Sequence, residues 1–291
     1  MNRPLAFIGA VLLAFVAISS ACMAQPTDWV QFRLEQERGN SAKIHASFRK
    51  ETNSHERDNW STGFMPSDLI GMEVSSFHGP GTRPLHFAIV REAGRLDCSG
   101  SGGNDHAAGN CSFAANAAFT QLLVSRGIGR PTHEQAFGLM AVNSRRALID
   151  ALAAARYPNP SINDLMALSA LGADGSYIME MAHAGYRPSS IHSLIEFKAL
   201  GITPQWIAGF VRLGYANVPG EGLVQMKALG ITPEFIAGFQ RIGYRDLSVD
   251  KLVQLKALDI TPEFVRETVG QEGEMPPVGE LVQRRMLRRK H

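Results

Sequence analysis

The chain has 291 residues, of which 45% are hydrophobic and 19% charged, with a formal charge of +2. This is the composition of an ordinary globular protein, and its near-neutral balance argues against a general nucleic-acid or membrane-surface binder held by net charge.

The opening stretch "MNRPLAFIGAVLLAFVAISSACMAQ" sets one early cation, Arg3, before an apolar run from Leu5 to Ile18 that ends in small residues. That pattern predicts a secretory signal peptide over residues 1–24, with Cys22 and Ala24 suiting cleavage before Gln25. The alternative is a protein lipid-anchored through Cys22, although Ser19 stands where that motif prefers an aliphatic residue. The run falls short of the ~20 residues a membrane-spanning helix needs. Export to the periplasm or beyond would leave Cys98 and Cys111 as an even pair in an oxidising compartment, where a disulfide is the default. Two cysteines alone make no structural zinc site.

Residues 25–115 read as an antiparallel β domain. Val30, Phe32 and Leu34 share one face opposite Gln31, Arg33 and Glu35, and Ile44, Ala46 and Phe48 alternate with His45, Ser47 and Arg49. Such period-two alternation marks half-buried strands. Leu85, Phe87 and Ile89 repeat it in "PLHFAIVR", while "GRLDCSG" and "NCSFAA" flank the tip "SGGNDHAAG" as the arms of a hairpin. A hairpin centred between Asn104 and Asp105 places Cys98 opposite Cys111 and Leu96 opposite Phe113, so the disulfide follows from register.

Helical periodicity begins at residue 116, and no strand is expected after it. Asn116 caps "AAFTQLLVSRG", Gly127 stops it, and Thr132 with Gln135 forms a capping box. Residues 116–160 are read as a helical connector and 161–280 as helical repeats. Leu165, Leu194, Leu223, Leu252 and Leu281 are each 29 residues apart, as are Gly172, Gly201 and Gly230, and Tyr157, Tyr186, Tyr215 and Tyr244. A period of this size is the signature of a helical array. Each unit reads as two short helices: the first ends at a glycine such as Gly230, and the second is capped by Thr232, carries Pro233 in its first turn and ends at Gly243. Phe235, Ile236, Phe239 and Ile242 form its apolar stripe.

Catalytic constellations are scarce. His133 and Glu134 open "THEQAFG", but a zinc-peptidase helix needs a second histidine where Phe137 stands. No metal site, cofactor site or catalytic residue is assigned. Lys198, Lys227 and Lys256 recur at one repeat position, with Glu196, Gln225 and Gln254 two residues before them. Stacked units would set these side chains in a ladder about 10 Å apart, and Lys198, Lys227, Lys256, Gln225 and Gln254 are the candidate binding residues. The other candidate surface is the free face of the sheet. Residues 281–291 form a basic tail in which Arg284, Arg285, Arg288, Arg289 and Lys290 offer a contact for anionic lipid or a partner.

The segment from Leu194 to Thr268, with its core "KALGITPEF", resembles a repeat of exported bacterial proteins and the C-terminal extensions of membrane sensors of the beta-lactam antirepressor metallopeptidase type. The resemblance implies a sensing or protein-interaction region of the bacterial envelope. It carries no implication of peptidase activity, since their transmembrane helices and zinc motif are lacking here. "ALGIT" is also similar to the helix-hairpin-helix motif, which presents backbone N–H groups to a nucleic-acid phosphate, but Thr203, Thr232 and Thr261 replace its second glycine. The expectation is an α+β chain, a disulfide-stapled antiparallel β domain followed by an α-solenoid. It would act as a non-enzymatic interaction or sensing module of the periplasm with another envelope protein as partner. A helix-hairpin-helix-like DNA-binding protein of the envelope is the alternative.

Overall fold

The computed structural model describes residues 29–288 apart from 38, 40, 41, 52–56, 185 and 270–274. The signal-peptide and Cys22 readings therefore lie outside the described residues, as do Arg289 and Lys290. The class is α+β: one six-stranded antiparallel sheet, then helices. The strands are β1 (Trp29–Gln36), β2 (Ile44–Glu51), β3 (Arg57–Phe64), β4 (Arg83–Arg91), β5 (Gly94–Gly103) and β6 (His106–Ala115). Their order across the sheet is β3-β2-β1-β6-β5-β4. In the β5–β6 hairpin Cys98 faces Cys111 and Leu96 faces Phe113, the expected register, and the two cysteines are bonded. Asn104 and Asp105 make the turn with positive φ, a conformation short polar residues tolerate.

The sheet is curled. Gly100 and Gly109 are cross-strand partners at its centre, and a Cβ on either would lie 2.1 or 2.2 Å from a carbonyl oxygen of the opposite strand. Bending there brings Phe32 of β1 edge-on to Phe87 of β4, ring centroids 5.0 Å apart, although two strands intervene. The edge strands also approach each other. The Arg91 guanidinium of β4 lies 5.0 Å from the Trp60 ring and 5.6 Å from the Phe64 ring, both on β3. The buried face thus becomes the lining of a rolled sheet filled by Val30, Phe32, Leu34, Phe48, Leu85, Phe87 and Leu96. A short helix, α1 (Val74–His78), adds Phe77 to that core.

The helices repeat the sequence period along the chain. First helices of each pair are α3 (His133–Ala141), α5 (Ile162–Ala170), α7 (Ile191–Ala199), α9 (Gly220–Ala228) and α11 (Val249–Ala257). Second helices are α4 (Arg146–Ala154), α6 (Gly175–His183), α8 (Pro204–Val211), α10 (Pro233–Arg241) and α12 (Pro262–Val269). Between the sheet and this pattern stands α2 (Ala117–Ser125), so the pattern already begins within the stretch read as a connector. Helices of this length are marginal alone, so each pair relies on its neighbours. Leu165, Leu194, Leu223, Leu252 and Leu281 are all buried, at 2% exposure or less.

Close approach between units depends on two glycines of the "IAGF" segments. A Cβ on Gly209 would sit 2.6 Å from Cγ of Pro233, and one on Gly238 would sit 2.8 Å from Cγ of Pro262. Tyrosines tie successive units across the next turn, with the Tyr215 hydroxyl donating to the Leu247 carbonyl and the Tyr244 hydroxyl to the Pro276 carbonyl. At the turn between the helices, Gly172, Gly201 and Gly230 have φ of +66°, +66° and +65°, and Asp259 keeps that conformation at +53°.

A further helix follows α12 among the described residues. α13 (Val278–Arg288) occupies the first-helix position, crossing the boundary drawn between repeats and tail. Arg284 stands in it where Leu168, Phe197, Met226 and Leu255 fill the core of the earlier units, and it pairs with Glu280 at 2.6 Å. Arg284 is thus a polar residue at an otherwise apolar position of the repeat.

Beside the packing of Phe113 on Phe137, two consecutive residues tie the sheet to the array. Arg91 donates to the Met140 carbonyl at 2.8 Å and to the Ala141 carbonyl at the end of α3. Glu92 accepts the backbone N–H of Arg146 at the start of α4, at 2.7 Å. Each charge meets the helix end of opposite partial charge. Burial pushes the Arg91 guanidinium down to about 10, with Arg145 adding to the effect.

Candidate functional site

The lysine ladder is built into the packing. Lys198 Nζ lies 4.4 Å from the Tyr177 ring, Lys227 Nζ 5.3 Å from the Trp206 ring and Lys256 Nζ 5.1 Å from the Phe235 ring. Each aromatic belongs to the second helix of the preceding unit, and each lysine is half-buried. Arg285 continues the series over Phe264 at 5.1 Å and also binds the Leu258 carbonyl and the Asp259 carboxylate. The ladder is therefore a row of cation–π contacts between units. Gln225 and Gln254 lie exposed on the same helices, one turn short of their ends. Arg284, Arg285 and Arg288 of the basic tail are engaged by Glu280, Asp259 and the Phe264 ring, respectively.

Backbone groups at the helix-helix turns are also occupied. Pro204, Pro233 and Pro262 start their helices without an N–H. The hydroxyls of Thr203, Thr232 and Thr261 accept the N–H of Trp206, Phe235 and Phe264. His133 packs edge-on to Phe113, with centroids 5.4 Å apart. The Asp105 carboxylate at the hairpin turn is met by His78, whose Nδ1 is 2.6 Å from Asp105 Oδ1. Among the described residues no group of three or more histidines, cysteines or acids is placed to hold a metal ion.

The outer face of the rolled sheet is different. Register fixes which side chains stand beside one another on it. One line crosses Ser99, Asn110, Gln31, Arg49 and Asn59; the next crosses Ser101, Ala108, Arg33, Ser47 and Ser61. A third joins Asp97 and Ser112 to Trp29, whose side chain lies at an exposed position, 52% accessible. A groove of about 500 Å³ runs over β6, β1, β2 and β3 between Arg33 and Arg49, walled by Gln31, His45, Ser47, Asn59 and Ser61. A second, of about 460 Å³, lies by Trp29, Ile70, His86, Ser99 and Ser112. Neither Arg33 nor Arg49 meets a carboxylate among the described residues. Arg95 by contrast grips Asp97 at 2.6 Å, and its hydrogen bond holds that carboxyl below the usual range.

The outward position of Arg33 and Arg49 was readable from the alternation of β1 and β2. Their juxtaposition with Asn59 and Ser61 was not, because β3 carries only Trp60 and Phe64 as large apolar residues and gives a weak strand signal.

Comparison with protein-family models, with curated proteins and with solved structures finds no match for this chain. Among the described residues no helix is long and apolar enough to cross a membrane. The Cys98–Cys111 bond fits an oxidising compartment.

Proposed function

We propose that this chain is a non-enzymatic binding or sensing module that works outside the cytoplasm, in the periplasm or secreted, and that its contact surface is the outer face of the sheet. The observation that carries the reading is the pair Arg33 and Arg49, cationic and unmatched by any acid among the described residues, over a groove of hydroxyls and amides. An exposed cation costs little to keep hydrated, but two on one groove recognise an anion well. The disulfide supports the compartment, as does the signal-like sequence of residues 1–24. The lysine ladder has less support as a contact surface, since each ammonium already faces an aromatic ring. The DNA-binding alternative has less support too, because proline lacks one of the N–H groups that would meet a phosphate and the threonine hydroxyls accept others.

The test is capture from an envelope extract on the immobilised, oxidised protein. Wild type and the Lys198→Gln/Lys227→Gln/Lys256→Gln variant are expected to retain the same material, and Arg33→Glu/Arg49→Glu to lose it. Equal capture by the arginine variant would overturn the assignment of this face.

A further inference from the structure

We infer that the outer face binds an acidic polysaccharide, a chain of hydroxyl-rich sugar rings bearing carboxylates; this rests on the reading of that face as the contact surface. Three properties of the face select this chemistry. First, its side chains are short and amphoteric. Ser47, Ser61, Ser99, Asn59, Asn110 and Gln31 each donate and accept hydrogen bonds, as sugar hydroxyls do, and stand in register across neighbouring strands. With strands ~4.8 Å apart, the line from Ser99 to Asn59 is about 19 Å long, long enough for an extended chain lying across the strands.

Second, Arg33 and Arg49 stand on adjacent strands and flank the larger groove. Planar guanidinium groups bind carboxylates through two parallel hydrogen bonds, so spaced acids along a sugar chain meet spaced cations. Third, Trp29 offers an exposed ring at one end of β1, two residues from Gln31 on the same face. An aromatic face with a polar rim suits the apolar face of a sugar ring.

A protein partner fits less well. Protein interfaces are anchored by large apolar or aromatic residues in desolvated pockets, whereas the aromatic residues along the larger groove, Phe32, Phe48 and Trp60, belong to the core side of their strands and leave arginine, histidine, amide and hydroxyl side chains on the outer face. Nucleic acid fits less well because two arginines neutralise few phosphates.

The experiment titrates the purified, oxidised protein with a uronic-acid hexasaccharide and with the neutral hexasaccharide of the same linkage, followed by calorimetry and tryptophan fluorescence. The acidic sugar is expected to bind at least tenfold more tightly than the neutral one. Arg33→Gln/Arg49→Gln should bring the two together, and Trp29→Ala should weaken both about tenfold with an unchanged circular dichroism spectrum. Equal binding of the two sugars by wild type, or no saturation at millimolar concentration, would overturn the inference. So would stronger binding of a single-stranded oligonucleotide of equal charge. If the arginine variant loses envelope capture while neither sugar binds, the ligand class fails and the surface stands. If capture survives that variant, both fail.

Discussion

The ammonium of Lys227 sits 5.3 Å from the centroid of the Trp206 ring, across the boundary between two successive helix pairs. Lys198 with Tyr177 and Lys256 with Phe235 make the same contact. Half-exposed cation–π pairs are worth about 0.5–1 kcal/mol each. Replacing all three lysines by glutamine is therefore expected to lower unfolding free energy by about 1.5–3 kcal/mol in urea titration, and arginine at the three positions to restore most of it. An unchanged midpoint for the glutamine variant would mean that the rings contribute only apolar contact.

Gly238 and Gly279 offer a matched comparison of glycines in helices. A Cβ at Gly238 would collide with Pro262, whereas one at Gly279 meets nothing within 4 Å. Gly238→Ala should destabilise by about 1–3 kcal/mol through overpacking. Gly279→Ala should be neutral or stabilise by up to about 1 kcal/mol through helix propensity. Chemical denaturation of both variants checks the sign at each site.

Arg91 closes the seam between β3 and β4 and holds the end of α3. Arg91→Ala is expected to cost about 2–4 kcal/mol, since it removes two charged hydrogen bonds and takes the side-chain donor from the Ala141 carbonyl, while the Met140 carbonyl keeps the N–H of Asn143. Lysine should rescue poorly because it lacks the planar group that lies over Trp60 and Phe64. Limited proteolysis should then cut first between the sheet and α3, whereas unchanged cleavage would show that the joint is held by packing alone.

Asp174 caps α6, accepting the backbone N–H of Tyr177 at 3.0 Å and the hydroxyl of Ser176 at 2.6 Å. Those bonds, Ser176 first, hold its carboxyl below the usual range. A carboxylate with a depressed folded pKa adds stability that is fully present above its unfolded pKa and is lost as pH falls through the folded value. Asp174→Asn keeps the cap and should flatten this part of the acid limb of a stability-against-pH curve. An identical curve in the variant would assign that limb to other acids.

Breaking the staple should be costly in a different way. Cys98→Ala/Cys111→Ala is expected to lose roughly 3 kcal/mol, mainly by freeing the unfolded chain, and non-reducing peptide mapping of the protein isolated from its own cells should recover the two cysteine peptides joined. Free thiols at both positions would place the folded protein in a reducing compartment.

Much of the fold could be read from the sequence because the signals are local. The turn at Asn104 and Asp105 fixes the hairpin register and hence the cysteine pair, and the repeated threonine, proline and glycine punctuation fixes the helix pairs. The partners of the lysines were hidden because the aromatic position varies among Tyr177, Trp206, Phe235 and Phe264, so identity alone shows no repeat there. The earlier start of the array at α3 was hidden for a similar reason: His133–Ala154 keeps the spacing but few of the residues. The arginine groove depends on pairing among β6, β1, β2 and β3, and long-range register of that kind leaves no local trace.

The regular spacing of the helix pairs makes the molecule's length a discrete variable. Units meet through the same set of contacts, with leucine in the core, proline against glycine and lysine over a ring. Excising the block from Gly220 to Ser248 removes α9 and α10 and joins Pro219 to Val249. The shortened chain then sets Pro262 against Gly209 and Lys256 over Trp206, surfaces already shaped for each other.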